Sequence, residues 1–445
     1  MADALVWHRL QFAFTAVYHY IFPQLTMGLA FLIVIMKWRS LRGDERWNDA
    51  ARFWIRIFGL NFAVGVVTGI PMEFQFGTNW ARFTSYAGKV VGHTLGMEGL
   101  LAFFLESSFI AILVWGERRV SRRVHYLAAI ALWVGSWLSG YFIVTTNAFL
   151  QRPVGYEFAA DGTLRLGDFG AFITNPWAIA QYAHTIMASV VTASFVVAAT
   201  GAYYLLRGEH LETARRFVRL GVIVGAASSL LVAFPTGDMQ AKLVARYQPV
   251  SLAAMEGRFE SGPMAEITLI GQPNVPGRRL DNPVQVPGAL SFLAYGTFHS
   301  DVAGLNEFPE QDWPDNIELL YYAFHVMAGL GTIMIGVMLV ALLLAWRHRL
   351  AGTRWMLWLL MLMFPAPYIA NTAGWLTTEL GRQPWVVYGL LRTVDASSTL
   401  VHSGTALFTL IGFCGMYFVL GVLFLFLVAR EVVHGPVPAA EGGHG

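Results

Sequence analysis

Polar and apolar positions along this chain fall into long blocks, with little of the short alternation that marks surface strands. Nine apolar runs, near residues 12–36, 55–75, 93–115, 125–149, 178–206, 217–235, 318–346, 355–376 and 403–429, stand out. Each is long enough to cross a hydrocarbon layer, which takes about 20 residues of helix. A segment in lipid must satisfy its own backbone hydrogen bonds, as a helix or as a strand of a closed barrel, and these runs are too long and continuous for barrel strands. The pattern therefore predicts an all-α polytopic membrane protein, a bundle of nine transmembrane helices. The first run is expected to be a retained span: it is too long for a signal peptide, follows the polar Trp7-His8-Arg9, and no small-residue cleavage site follows it.

Basic residues between the runs predict orientation. Lys37, Arg39, Arg42, Arg46, Arg52 and Arg56 lie between runs one and two, and Arg118, Arg119, Arg122 and Arg123 between three and four. Arg207, Arg215, Arg216 and Arg219 lie between five and six, and Arg347, Arg349 and Arg354 between seven and eight. These alternate loops are short and basic, so the positive-inside rule places the N-terminus outside and the C-terminus in the cytoplasm. The expected division is helices one to six over 1–235, an external loop over 236–316, helices seven to nine over 317–430, and a cytoplasmic tail over 431–445. The external segment is rich in proline, which predicts mostly non-helical structure, apart from a short helix over Ser251 to Glu260. Its Phe, Tyr, Leu and Ile content argues for an ordered outer domain.

Composition sharpens this picture. The chain is 56% hydrophobic and 13% charged, where soluble proteins are nearer half and a quarter. A net charge of +2 carries no global bias toward nucleic acid, and none is expected as a partner. The single cysteine, Cys414, excludes a disulfide scaffold, a cysteine-ligated zinc site and an iron-sulfur cluster built from this chain alone. There is no C-x-x-C-H motif for covalent heme and no P-loop for a nucleotide-driven pump.

Ionisable groups within apolar runs are expensive, and each is a functional candidate. His19 lies in run one, His184 in run five, Glu98 and Glu106 in run three, and Glu379 at the end of run eight. A membrane histidine serves either as an interhelical hydrogen-bond partner or as an axial ligand to heme iron. Glu98 and Glu106, about 12 Å of rise and 80° of rotation apart on a regular helix, line one broad face as stations of a proton path, with Ser107 beside them. Against this stands the reading of two carboxyls kept neutral by desolvation. Met327 is a soft ligand candidate among methionines that mostly fill cores. His325, two residues away, points about 200° around the helix, so the two cannot reach one metal.

Several blocks then carry a specific resemblance. Met72-Glu73-Phe74-Gln75-Phe76-Gly77-Thr78-Asn79-Trp80, Glu98-Gly99-Leu100-Leu101-Ala102-Phe103-Phe104-Leu105-Glu106-Ser107 and Gly381-Arg382-Gln383-Pro384-Trp385 resemble the signature blocks of subunit I of the cytochrome bd quinol oxidases. Arg9-Leu10-Gln11-Phe12-Ala13 and Ser251-Leu252-Ala253-Ala254-Met255-Glu256 match as well. The similarity runs from the N-terminus to the end of run nine.

The resemblance implies two b-type hemes and one heme d. His184 and Met327 would ligate the low-spin heme b that accepts electrons from quinol. His19 and Glu379 would ligate the two high-spin hemes, and the resemblance leaves open which belongs to which. Glu98 would lie by the oxygen-reducing heme, and Glu106, Ser107 and Ser139 would form a proton path from the cytoplasm. Arg9, Trp375 and Arg382 would support the hemes, the arginines pairing with propionates. The external segment would be a quinol-oxidising loop of the short type, with Glu256 accepting a quinol proton.

Two departures stand out: Ser251 where the family commonly has Lys, and His325 where it usually has Arg. The second removes a fixed positive charge beside the low-spin heme and lowers its expected potential, unless His325 is protonated or bonds a propionate. The implied activity is electrogenic reduction of dioxygen to water by quinol, without proton pumping, in the bacterial cytoplasmic (inner) membrane. The implied partners are a second subunit of homologous fold and a very small accessory subunit. A b-heme-only oxidase or sensor and a cofactor-free transporter stand as alternatives, the latter lacking the paired broken helices usual in transporters.

Overall fold

The computed structural model describes residues 2–436. Among them, nine helices are long and apolar enough to span a membrane: α1 (Ala4–Leu41), α2 (Arg46–Thr78), α3 (Ala81–Trp115), α4 (Arg122–Gln151), α5 (Phe169–Arg207), α6 (Leu211–Tyr247), α7 (Ile317–Trp346), α8 (Arg354–Arg382) and α9 (Ser403–His434). Most extend beyond the apolar runs, because polar residues join a helix wherever it emerges into water or packs on loops. The third and sixth differ most. α3 begins at Ala81, well before the run at 93, and α6 continues past Pro235 to Tyr247.

Both of these helices contain a π turn. In α3 it covers Glu98–Ala102. In α6 it covers Val232–Gly237, where Phe234 leaves helical geometry (φ −133°, ψ 124°) ahead of Pro235. Proline has no N–H to bond back to the preceding turn, so carbonyls in that turn are freed for other donors. α8 is interrupted near Met363, between the segments Arg354–Leu362 and Ala366–Arg382.

Close helix contacts rest on small residues. A Cβ on Gly28 of α1 would lie 2.8 Å from the Ala193 Cβ of α5, and one on Gly221 of α6 would lie 2.6 Å from the Ser194 carbonyl of α5. The largest apolar core gathers Leu29, Phe53, Trp54, Tyr204 and Phe217 from α1, α2, α5 and α6. α9 is the least buried span, with Phe408, Phe418 and Leu425 facing outward.

The basic loops share one end of the bundle. Lys37 of α1 and Arg52 of α2 reach Glu117 after α3, at 3.5 and 2.7 Å. Arg46 reaches Glu212 at the start of α6 at 3.2 Å, Arg122 pairs with Glu45, and Arg56 pairs with Glu431 of α9. The opposite end is tied by Arg9–Asp315 (2.8 Å) and Arg392–Asp312 (2.6 Å).

That opposite end carries three antiparallel two-stranded sheets: β1 (Tyr156–Phe158) with β2 (Leu164–Leu166), β3 (Ile267–Asn274) with β4 (Arg279–Val286), and β5 (Trp385–Val387) with β6 (Leu391–Arg392). The short loop helix runs Pro249–Glu256 and stops at Gly257, whose positive φ of 64° suits glycine. The expected helix over 251–260 therefore starts two residues earlier and ends four earlier. The hairpin β3–β4, paired from Ile267↔Val286 to Asn274↔Arg279 with two register shifts, forms the segment's body.

Candidate functional site

The candidate groups of the spans fall into three sets. The first lies at the loop-side end of α8. Glu379 pairs with Arg382 one turn on, and its other oxygen accepts from Asn147 Nδ2 of α4 at 2.7 Å. Asn147 in turn accepts from Gln181 Nε2 of α5 at 2.8 Å. Arg382 is buried, donates to the Val386 carbonyl, and has an Nε without a partner. Arg382 is thus a buried guanidinium with a donor to spare, suited to a carboxylate of a bound group. Arg9 lies apart from this cluster, in its ion pair with Asp315 at the same end of the molecule.

Helix ends leave carbonyls unpaired, and at this buried end side chains supply the donors. Gln151 Nε2 reaches Thr378 O at 3.2 Å, and Ser251 Oγ reaches Gly381 O at 2.5 Å. Gln248 Nε2 joins the belt through Gln151 Oε1 at 2.9 Å. Ser251 therefore faces inward, 1% exposed, as a cap for α8. Lys242 is occupied one turn away on α6, with Asp238 at 2.7 Å.

The second set comprises the soft and imidazole donors, carried on separate helices. His184 Nδ1 donates to Val232 O at 3.0 Å, a carbonyl within the π turn of α6. His19 Nδ1 lies 3.1 Å from Thr68 Oγ1 of α2, and that hydroxyl gives its proton to Val64 O at 2.9 Å, so it accepts from the imidazole. Each ring is fixed through Nδ1, which leaves Nε2 as the lone-pair nitrogen. Iron-bound histidines have this arrangement. Met327 of α7 rests its thioether on Gly374 of α8, where a Cβ would stand 2.9 Å from the sulfur. Trp375 follows, half buried. α8 packs against both α5 and α7, the helices of His184 and Met327. The donors present, imidazole, thioether and carboxylate beside a buried arginine, fit heme iron and its propionates.

The third set lies at the α3–α4 contact. Ser139 Oγ donates to Glu98 Oε1 at 2.9 Å. Glu106, 6% exposed, packs where a Cβ on Gly135 would lie 3.2 Å from its Cγ, and it faces the Ser136 hydroxyl. The π turn changes the expected geometry. One extra residue in the turn makes eight residues advance like seven, about 700°, which returns Glu106 to within about 20° of Glu98. Both carboxyls accordingly face α4, where the regular helix predicts a spread of about 80°. Ser107 is turned away from this line, with its hydroxyl on Phe104 O at 3.2 Å. Glu73 of α2 lies within electrostatic range of Glu98.

Beyond the spans, Glu256 ends the loop helix at 3% exposure and accepts from the Thr268 amide of β3 at 3.2 Å. Burial pushes its carboxyl up to about 7, with the Thr268 amide opposing. Tyr321, whose hydroxyl is buried without a partner, lies close by. His325 stacks on the Tyr321 ring at 4.0 Å, with Nδ1 on Tyr321 O at 2.8 Å and Nε2 on Thr268 O at 2.9 Å. Both nitrogens face backbone carbonyls, and since a neutral imidazole carries one N–H, one of the two contacts is a donated bond.

The amides Asn147, Gln151, Gln181 and Gln248, together with Thr68 and Thr268, are participants that residue-by-residue reading passed over. Their signal was faint: Asn147 and Gln151 are one turn apart at the end of an apolar run, and Gln181 is three residues before His184.

The family model for cytochrome bd terminal oxidase subunit I matches residues 7–436. The cytochrome bd ubiquinol oxidase subunit 1 of Bacillus subtilis (strain 168) is 37% identical over 441 residues, covering 97% of this chain and 94% of its own. The cytochrome bd-II ubiquinol oxidase subunit 1 of Escherichia coli (strain K12) is 32% identical over 504 residues, with 98% of each chain covered. Among solved structures, the bd oxidase from Geobacillus thermodenitrificans superposes with a TM-score of 0.91 at 31% identity, over 98% of this chain and 99% of that one. The chain belongs to the cytochrome bd terminal oxidase subunit I family. It is a multi-pass protein of the bacterial cytoplasmic membrane.

Proposed function

We propose that this chain is the quinol-oxidising and dioxygen-reducing subunit of a terminal oxidase, binding two b-type hemes and one heme d. The observation that carries the reading is the paired state of His19 and His184, each fixed through Nδ1 with Nε2 left free, in a chain matched to the family over nearly its whole length. His184 and Met327 would hold the low-spin heme, His19 and Glu379 would hold the high-spin pair, and Arg382, Arg9 and Trp375 would support them. When bound, the hemes carry electrons from quinol and reduce dioxygen to water.

The chain's own groups handle the protons. Glu256, buried at the end of the loop helix, takes a proton from a quinol hydroxyl on the outer side. Glu106, Ser136, Ser139 and Glu98 pass protons from the basic end of the bundle toward the opposite end, with Ser107 at the margin of that line. The basic end faces the cytoplasm by the positive-inside rule, which puts the N-terminus outside. Protons taken up inside and released outside make the reaction electrogenic without a pump. The sparsely buried faces of α3 and α9 receive the second subunit of homologous fold and a very small accessory subunit.

A reduced-minus-oxidised spectrum of the purified protein, with quinol-dependent oxygen uptake, tests the assignment. Bands of b heme with a far-red band and oxygen uptake are expected. Bands of b heme alone point to the b-only variant, and no Soret band with no uptake overturns the reading in favour of a transporter.

A further inference from the structure

His325 links two parts of the molecule that the proposed reaction needs in register. It sits in the third turn of α7, two residues before Met327, and its ring is contacted on three sides. Tyr321 stacks on one face at 4.0 Å, Nδ1 lies 2.8 Å from Tyr321 O, and Nε2 reaches across to Thr268 O of β3 at 2.9 Å. The amide of that same Thr268 donates to Glu256 Oε2 at 3.2 Å, and its hydroxyl lies 3.4 Å from Glu256 O. One strand residue thus receives a bond from α7 through its carbonyl and gives one to the loop helix through its N–H. Thr268 is itself 4% exposed, so neither bond competes freely with water. β3 is in register with β4 at Thr268, where Gln285 Nε2 also donates to the Thr268 hydroxyl at 3.2 Å, and shifts register just beyond it.

We propose that His325 is a positioning residue for quinol oxidation: through the Thr268 peptide it holds the Glu256 carboxyl in place relative to α7, the helix that carries Met327. This rests on the reading of Glu256 as the quinol proton acceptor. The role suits the residue type. A neutral imidazole carries one N–H, and with that proton on Nε2 it donates to the strand carbonyl while its ring stays stacked on Tyr321 of its own helix.

The test is a double-mutant cycle in the purified holo-oxidase with decylubiquinol, using His325→Phe, Glu256→Gln and the double variant. Phe keeps the stack on Tyr321 and removes the donor to Thr268 O. His325→Phe should lower kcat/KM for decylubiquinol about tenfold, the size expected for losing one buried hydrogen bond. The double variant should fall no further than Glu256→Gln alone, since His325 acts through Glu256. Amide exchange over residues 267–274 should accelerate in His325→Phe while the low-spin heme band is retained. His325→Gln, which keeps one donor for Thr268, should recover most of the loss, and it replaces His325→Phe in the cycle if that variant loses its heme band.

Losses that multiply in the double variant, a kcat/KM within twofold of the parent, or unchanged exchange over 267–274 would overturn the proposal. A Glu256→Gln variant with parental kcat/KM overturns instead the reading of Glu256 on which it rests.

Discussion

The side chain with the clearest pH consequence is Glu256. Burial at 3% exposure raises its carboxyl to about 7, and the single amide bond from Thr268 recovers only part of the lost hydration. A base must be deprotonated to accept the quinol proton, so kcat/KM for quinol should rise with pH up to about 7 and level off above it. Glu256→Gln should abolish that rising limb, and a limb that persists in the variant would assign it to another group. His184 and Met327 call for a spectroscopic test. Replacing either with Ala should remove the low-spin heme signal and leave the high-spin signals, and retention of the low-spin signal in both would refute the ligand pair. Gly374→Ala is a milder probe of the same site. Its new Cβ would stand 2.9 Å from the Met327 sulfur, but the thioether is the far end of a flexible side chain and can move. The fold should therefore survive while the low-spin signal weakens or shifts.

At the level of elements, the buried end of α8 depends on donors that arrive from other segments. Ser251→Ala would leave the Gly381 carbonyl unpaired in a dry site, where an orphaned acceptor costs about 1–3 kcal/mol. The thermal midpoint of the holoprotein should drop accordingly, and an unchanged midpoint would show that the turn after α8 is held by other contacts. Apolar length made the nine spans legible in the sequence, and basic loops made their alternation legible, because both follow from the cost of polar groups in lipid. Local geometry within a span was not legible. The stretch Glu98–Ala102 carries no proline or other signal for a π turn, and it packs against α4, so the alignment of Glu98 with Glu106 emerges only in three dimensions. The hairpin β3–β4 was equally obscure, since Gly271, Pro273 and Pro283 interrupt the alternation that would announce a strand. Candidate site residues stood out where they were costly in lipid, as with His19 and Glu379, and stayed hidden where they were common amides such as Asn147.

Across the whole molecule the charges are sorted by end. Ion pairs among Lys37, Arg46, Arg52, Arg56, Arg122 and the carboxylates Glu45, Glu117, Glu212 and Glu431 tie three helix-connecting regions and the end of α9 together at one end. Glu256, the hairpin and the α8 cap lie at the other. Between the basic end and Glu98 stands Glu106, enclosed by Gly135 and Ser136 and in line with Glu98 because of the π turn. Glu106 is the ionisable group between that end and Glu98 on this contact, with the hydroxyls of Ser136 and Ser139 beside it. Glu106→Gln should therefore leave heme reduction by quinol intact while slowing steady-state oxygen uptake by an order of magnitude or more, a loss confined to steps that consume protons. In proteoliposomes energised with quinol, the same variant should build membrane potential in proportion to its residual oxygen uptake. Ser139→Ala, which removes one hydrogen bond at 2.9 Å from Glu98, should slow turnover less. Full turnover in Glu106→Gln would place the proton route elsewhere in the bundle and reduce the aligned carboxyls of α3 to a packing feature.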